Sequence, residues 1–220
     1  MESALCQWIQ PPLGVFSYTG LVMDTTGGNP RIPSAPVDRL FLDRWSPRAF
    51  NPAPLPPGTV ATLIEAVRWA PSCFNEQPWL IVWGTTPEDR ARILEVMNDG
   101  NRSWAKDAPL VAVIFTRRIF NKNGSINRWA GFDAGAGWMS LAMQSRLLGL
   151  YAHAMGGFSP ERAHALLGVP EKDYEAMCCV AVGNVADRQT LPENMREREK
   201  PGTERKEQAE ISAEGIFKKD

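Results

Sequence analysis

The chain has 220 residues, 44% of them hydrophobic, and a formal net charge of −1. That length can bury one substantial core, and the near-neutral balance gives no footing for nucleic acid or an anionic membrane surface. No apolar run approaches the roughly 20 residues of a membrane span. The first residues lack the basic and apolar regions of a signal peptide, and Cys6, Cys73, Cys178 and Cys179 form no C-x-x-C pair, so a cytoplasmic location is expected.

Residues 1–37 are broken by Pro11-Pro12, Gly27-Gly28, Asn29-Pro30, Pro33 and Pro36, which predicts an irregular extension, with Met23 as a second candidate start. A single domain is expected over 38–220. Its first helix is signalled by Val60, Leu63, Ile64, Val67 and Ala70 at helical spacing behind Pro56-Pro57, and Pro71 ends it. The apolar run from Trp79 to Trp83, closed by Gly84, reads as a buried strand. Thr86 and Pro87 then start a helix carrying Ala91, Ile93, Leu94, Val96 and Met97.

A second strand is expected from Leu110 to Phe115, and a long helix from Trp129 to Leu150 rich in Gly and Ala. So many small residues cost helix propensity and imply the close approach of another backbone. Packing inside one subunit and a helix–helix dimer contact both fit. A third strand spans Tyr151 to Met155. A short helix follows, capped by Ser159-Pro160 and stopped by Gly168, and a fourth strand runs from Met177 to Val182. On that strand Cys178 and Cys179 would face opposite sides. The charge-rich segment 186–220 cannot build its own core, and Ile211, Ile216 and Phe217 favour an arm laid over other protein surface.

Three stretches carry more chemistry than their local structure requires. The loop from Ala70 to Trp79 holds Ser72, Cys73, Asn75 and Gln77 between two prolines, which suits a polar ligand edge. In the extended segment Arg44-Trp45-Ser46-Pro47-Arg48, the side chains of Arg44, Ser46 and Arg48 share a face while Trp45 points away. Two guanidiniums and a hydroxyl match a phosphate; a solvated turn is the alternative. Gly156-Gly157, at the end of a strand, would let a ligand approach the main chain. The two histidines, His153 and His164, offer no helical ligand pair for zinc. No nucleophile elbow, P-loop or strand-linked G-x-G-x-x-G is present. A cofactor-bearing enzyme with few catalytic side chains remains.

The segment Arg44–Phe50, the loop Ala70–Trp79, the turn Met155–Phe158, the strand Val180–Asn184 and the ending Glu204-Arg205-Lys206 before Glu214–Phe217 follow one another in an order that resembles the FMN-dependent nitroreductase family. The resemblance covers residues 38–220. It implies an α+β fold, a nitroreductase-like three-layer α/β/α arrangement with a central, mostly antiparallel sheet and a C-terminal arm exchanged in a homodimer. It also implies FMN at the subunit interface, with Arg44, Ser46, Arg48 and Arg205 on its phosphate and ribityl chain and Trp45 between them. Ser72, Cys73 and Asn75 would come from the partner subunit. Asn101 would meet the polar edge of the flavin, and Met155, Gly156 and Gly157 would lie along the ring. Trp104, not the lysine common in the family, stands near that edge, with Lys106 two residues on. Trp104, Phe120, Trp129 and Phe132 are candidates for a substrate-facing wall or for packing.

The implied activity is ping-pong hydride transfer from NADH or NADPH, through the flavin, to nitroaromatics, quinones or related small molecules. No catalytic side chain and no metal are required. A flavin-storage protein, or reductive dehalogenation or flavin fragmentation on the same scaffold, is the alternative.

Overall fold

A computed structural model describes residues 30–217. Most of the expected N-terminal extension, Met23 included, lies outside the described residues. At the centre is a four-stranded sheet of β1 (Trp79–Gly84), β2 (Leu110–Arg117), β3 (Tyr151–Met155) and β4 (Tyr174–Gly183). The strand order is β1-β2-β4-β3, and every pairing is antiparallel.

The apolar runs of β2 and β4 follow from burial on both faces. Val111, Val113 and Phe115 with Cys179 and Ala181 point into one core. Leu110, Ala112 and Ile114 with Val180 and Val182 point into the other. Cys178 packs against the second core and Cys179 sits in the first, so the neighbouring thiols do face opposite sides. Between Ile114 and Phe115 the pairing with β4 shifts by one residue, a bulge that begins the strand at Tyr174 and not at Met177.

Helices cover both faces. Helix α2 (Thr59–Arg68) inserts Leu63 and Val67, and α5 (Ala130–Leu147) inserts Leu141 and Ala142, into one core. At Gly137 of α5 an added Cβ would sit 3.2 Å from Val67 Cγ1 and 3.4 Å from Trp79 Cε3. One of the small residues is therefore explained by packing within the subunit, whereas Gly135 faces open space. The other core takes Ile93 from α3 (Pro87–Leu94), Trp104 and Ala105 from α4 (Asp99–Ala105), and Ala163 from α6 (Pro160–Leu167). Helices α3 and α6 begin as their sequences predict. Thr86 Oγ1 accepts the Asp89 N–H at 3.2 Å and Ser159 Oγ accepts the Arg162 N–H at 3.2 Å, caps worth about 1 kcal/mol each. The three layers match the expected α/β/α architecture.

The elements differ from expectation in three places. Helix α3 stops at Leu94 because the next residues are drawn into long-range pairing. Val96 C=O accepts the Ser159 N–H at 2.9 Å, and Met97 bridges Phe158. Helix α4 and the five-residue α1 (Arg39–Asp43) were not anticipated. Beyond β4 the described residues form a 3-10 turn at Arg188–Thr190 and two short helices, α7 (Glu193–Arg196) and α8 (Gln208–Ile211). Among the described residues no helix is long and apolar enough to cross a membrane.

Candidate functional site

The segment 44–49 leaves α1 with Arg44 extended, at φ −72°, ψ 121°, and bends at Arg48. Its backbone is fixed from several directions. The His153 ring bonds the Pro47 carbonyl oxygen through Nδ1 at 2.7 Å. Glu199 Oε1 accepts the N–H groups of Arg48 at 2.7 Å and Ala49 at 2.8 Å. Phe50 bridges Val185 just past β4. Trp45 turns to the Tyr151 ring, edge to face at 6.0 Å.

Around this frame cations gather. The Arg44 guanidinium is held below its ordinary proton affinity, first by burial and then by the nearby charge of Arg205. Arg31 is lowered by burial, then by Arg205 and Arg44, with Asp43 opposing. Residues far apart in sequence thus converge as the arm returns to the phosphate-type segment. A multiply charged anion relieves such mutual repulsion. Arg31 was not anticipated, and neither was Glu199. One lies in a proline-broken stretch and the other in a charged tail, and contacts across 171 and 151 residues tie each to the opposite end of the chain.

The glycine turn is built against the start of α4. Asn98 caps that helix by accepting the Asn101 N–H at 2.9 Å. The Gly157 carbonyl accepts from Asn98 N–H at 3.1 Å and Asn101 Nδ2 at 3.0 Å. An added Cβ at Gly157 would lie 2.7 Å from Asn101 Nδ2 and closer still to Asn98, so the close approach requires glycine there. At Gly156 a Cβ would meet nothing within 4 Å. The main chain at Gly156 therefore faces open space. Met155 does not line it with its side chain, which is buried in the core. Trp104 is likewise 1% exposed and stacks on Phe50 and His153. It belongs to the core and not to a substrate wall. Phe132 and Trp129 remain exposed.

The loop 70–79 is strained and well anchored. Phe74, Asn75 and Gln77 have φ of 53°, 56° and 49°, left-handed values that non-glycine residues seldom adopt outside functional sites. Ser72 Oγ accepts the Gln77 N–H at 3.0 Å. Asp133, buried on α5, accepts the Cys73 N–H at 3.1 Å, and burial raises its proton affinity. Glu76 accepts the Asn121 N–H at 2.9 Å. Phe74, 84% exposed, meets Phe120 edge to face at 6.1 Å.

Among the described residues no hydrogen bond or ion pair joins this loop to Arg44–Arg48. The topology explains why. Pro78 C=O accepts the Arg117 N–H, and Arg117 pairs with Tyr174 at the start of β4. The arginine segment instead bridges Val185, past the other end of β4. Ten residues of strand separate the two, about 30 Å. Arg117 and Arg118, at the end of β2, are committed to Tyr174 and Glu175.

A family model described as Nitroreductase family matches residues 42–184. The chain is 39% identical to a structure described as an oxidoreductase containing FMN, with a TM-score of 0.82 covering 87% of this chain and 98% of that one. It is 28% identical over 74% of its length to a Streptomyces coelicolor protein provisionally named NADH dehydrogenase/NAD(P)H nitroreductase, covering 90% of that protein. A Thermus thermophilus NADH dehydrogenase is 29% identical over 63% of this chain and 82% of its own.

Proposed function

The chain belongs to the nitroreductase family, and on that premise we propose that it is an FMN-dependent NAD(P)H oxidoreductase that reduces nitroaromatics, quinones or related small molecules. The similar FMN-containing oxidoreductase supports the cofactor, and the relatives' names support NADH or NADPH as donor. The observation that carries the reading is the meeting of Arg44 with Arg205 from the returning arm, next to Ser46 and Arg48. A phosphate satisfies such a cluster through charge-assisted hydrogen bonds.

Bound FMN would supply the hydride-accepting and hydride-donating chemistry. In this reading the chain supplies position. Arg44, Ser46, Arg48 and Arg205 hold the phosphate end, the Gly156-Gly157 turn leaves room for the ring, and Asn101 stands at its edge. No side chain is assigned an acid or base role.

We assign the complete site to two subunits. The roughly 30 Å along β4 between the arginine segment and the loop with Ser72, Cys73 and Asn75 supports a loop that serves the partner's flavin. Ile211, Ile216 and Phe217 are at least 70% exposed in the single chain, which supports an arm seated on a partner.

Purified protein is expected to be yellow, with about one FMN per subunit, and to bleach under anaerobic NADH or NADPH. Colourless protein that takes up no added FMN overturns the reading. A bound flavin that stays oxidised with both nucleotides would assign storage instead.

A further inference from the structure

Arg31 lies outside the segment matched by the family model, yet its guanidinium reaches three main-chain carbonyls. Nε donates to Gly202 at 2.7 Å, and Nη1 donates to Leu42 at 2.8 Å and Arg44 at 2.5 Å. Two of these acceptors lie at the start of the arginine segment and the third belongs to the arm, three residues before Arg205. We propose that Arg31 is a positioning residue for the phosphate end of the flavin site, a planar clamp that fixes the arm carrying Arg205 against the segment carrying Arg44. The proposal rests on the FMN reading above and extends it to a residue in the N-terminal extension.

The chemistry favours arginine for this task. One rigid fork can address carbonyls from two chain segments at once, while keeping a positive charge beside the anion. An ammonium on a flexible stem carries the charge without the fork. The clamp also acts against repulsion, because the charge of Arg205 lowers the proton affinity of both Arg31 and Arg44. Without the carbonyls, the arm would move away from the like charges until a phosphate arrived.

The test compares FMN with riboflavin, which carries the same ring without the phosphate. Full-length wild type, Arg31→Ala and Arg31→Lys are stripped of flavin and titrated with each by flavin fluorescence. Wild type should prefer FMN. Both variants should lose FMN affinity by about tenfold or more, the loss expected for a charge-assisted contact, with riboflavin affinity unchanged. Trypsin should cut after Arg205 or Lys206 faster in both variants than in wild type. Three results would overturn the clamp: equal losses for both flavins, an unchanged FMN preference in Arg31→Ala, or full restoration by lysine. A wild type that binds neither flavin would overturn the FMN reading itself and the clamp with it.

Discussion

His153 shows how a single side chain can support a site without touching its ligand. Its ring is stacked 4.7 Å from Trp104 and bonded to the Pro47 carbonyl. Burial first, and the charge of Arg48 second, push its pKa down to about 4, against the opposing pull of the Pro47 bond. The folded protein therefore resists a proton that the unfolded chain takes up below about 6.5. Stability from this residue is complete above that value and is lost as pH falls towards 4. Unfolding free energy measured at pH 7 and pH 4.5 should drop by on the order of 2–3 kcal/mol from this group. His153→Gln, which can still donate to Pro47, should remove that part of the slope; an unchanged slope would show that other groups carry it. In the sequence His153 offered no motif, because its function comes from a proline 106 residues away. The arginines of 44–48 drew attention because alternation along an extended chain is a local pattern. Trp104 was left between a substrate wall and packing, and the core claims it, because order along the chain cannot distinguish an inward side chain from an outward one.

At the scale of elements, the apolar runs announced all four strands, and the caps at Thr86-Pro87 and Ser159-Pro160 announced their helices. Helix α4 was silent. Its sequence, Asp-Gly-Asn-Arg-Ser-Trp-Ala, has two apolar residues and a glycine, too little for a periodic signal. What stabilises it is the Asn98 cap and the join to Gly157, neither of which propensity can foresee. Gly157→Ala should therefore act on α4 as a whole. The new methyl displaces Asn98 and Asn101, loosening the cap and the two bonds to the Gly157 carbonyl. A loss of about 1–3 kcal/mol in denaturant unfolding is expected, together with weaker flavin retention. Gly156→Ala, which meets open space, should keep stability and affect only ligand binding. If the two variants behave alike, the close approach at Gly157 has no structural weight.

For the whole molecule, the sheet acts as a spacer. It sets the arginine segment at one end of β4 and the strained loop at the other. Spacing along the chain, 36 residues from 44 to 79, carries no sign of this separation, and only the family resemblance implied it by giving the loop to the partner subunit. The expected mass in solution is twice the 24.4 kDa of the chain. Arg48→Ala and a Ser72→Ala/Asn75→Ala double variant should each retain little FMN as homodimers. Mixed dimers of the two should recover about one flavin per dimer, because one interface then joins two intact halves. No recovery on mixing would return the whole site to a single subunit. The same spacing has a genetic consequence. With the site shared between two subunits as proposed, a subunit altered in only one half would leave every mixed dimer in a cell expressing two alleles one working centre. A subunit altered in both halves would silence both centres of any wild-type partner it pairs with. Dominance would then be decided by whether a lesion confines itself to one end of β4.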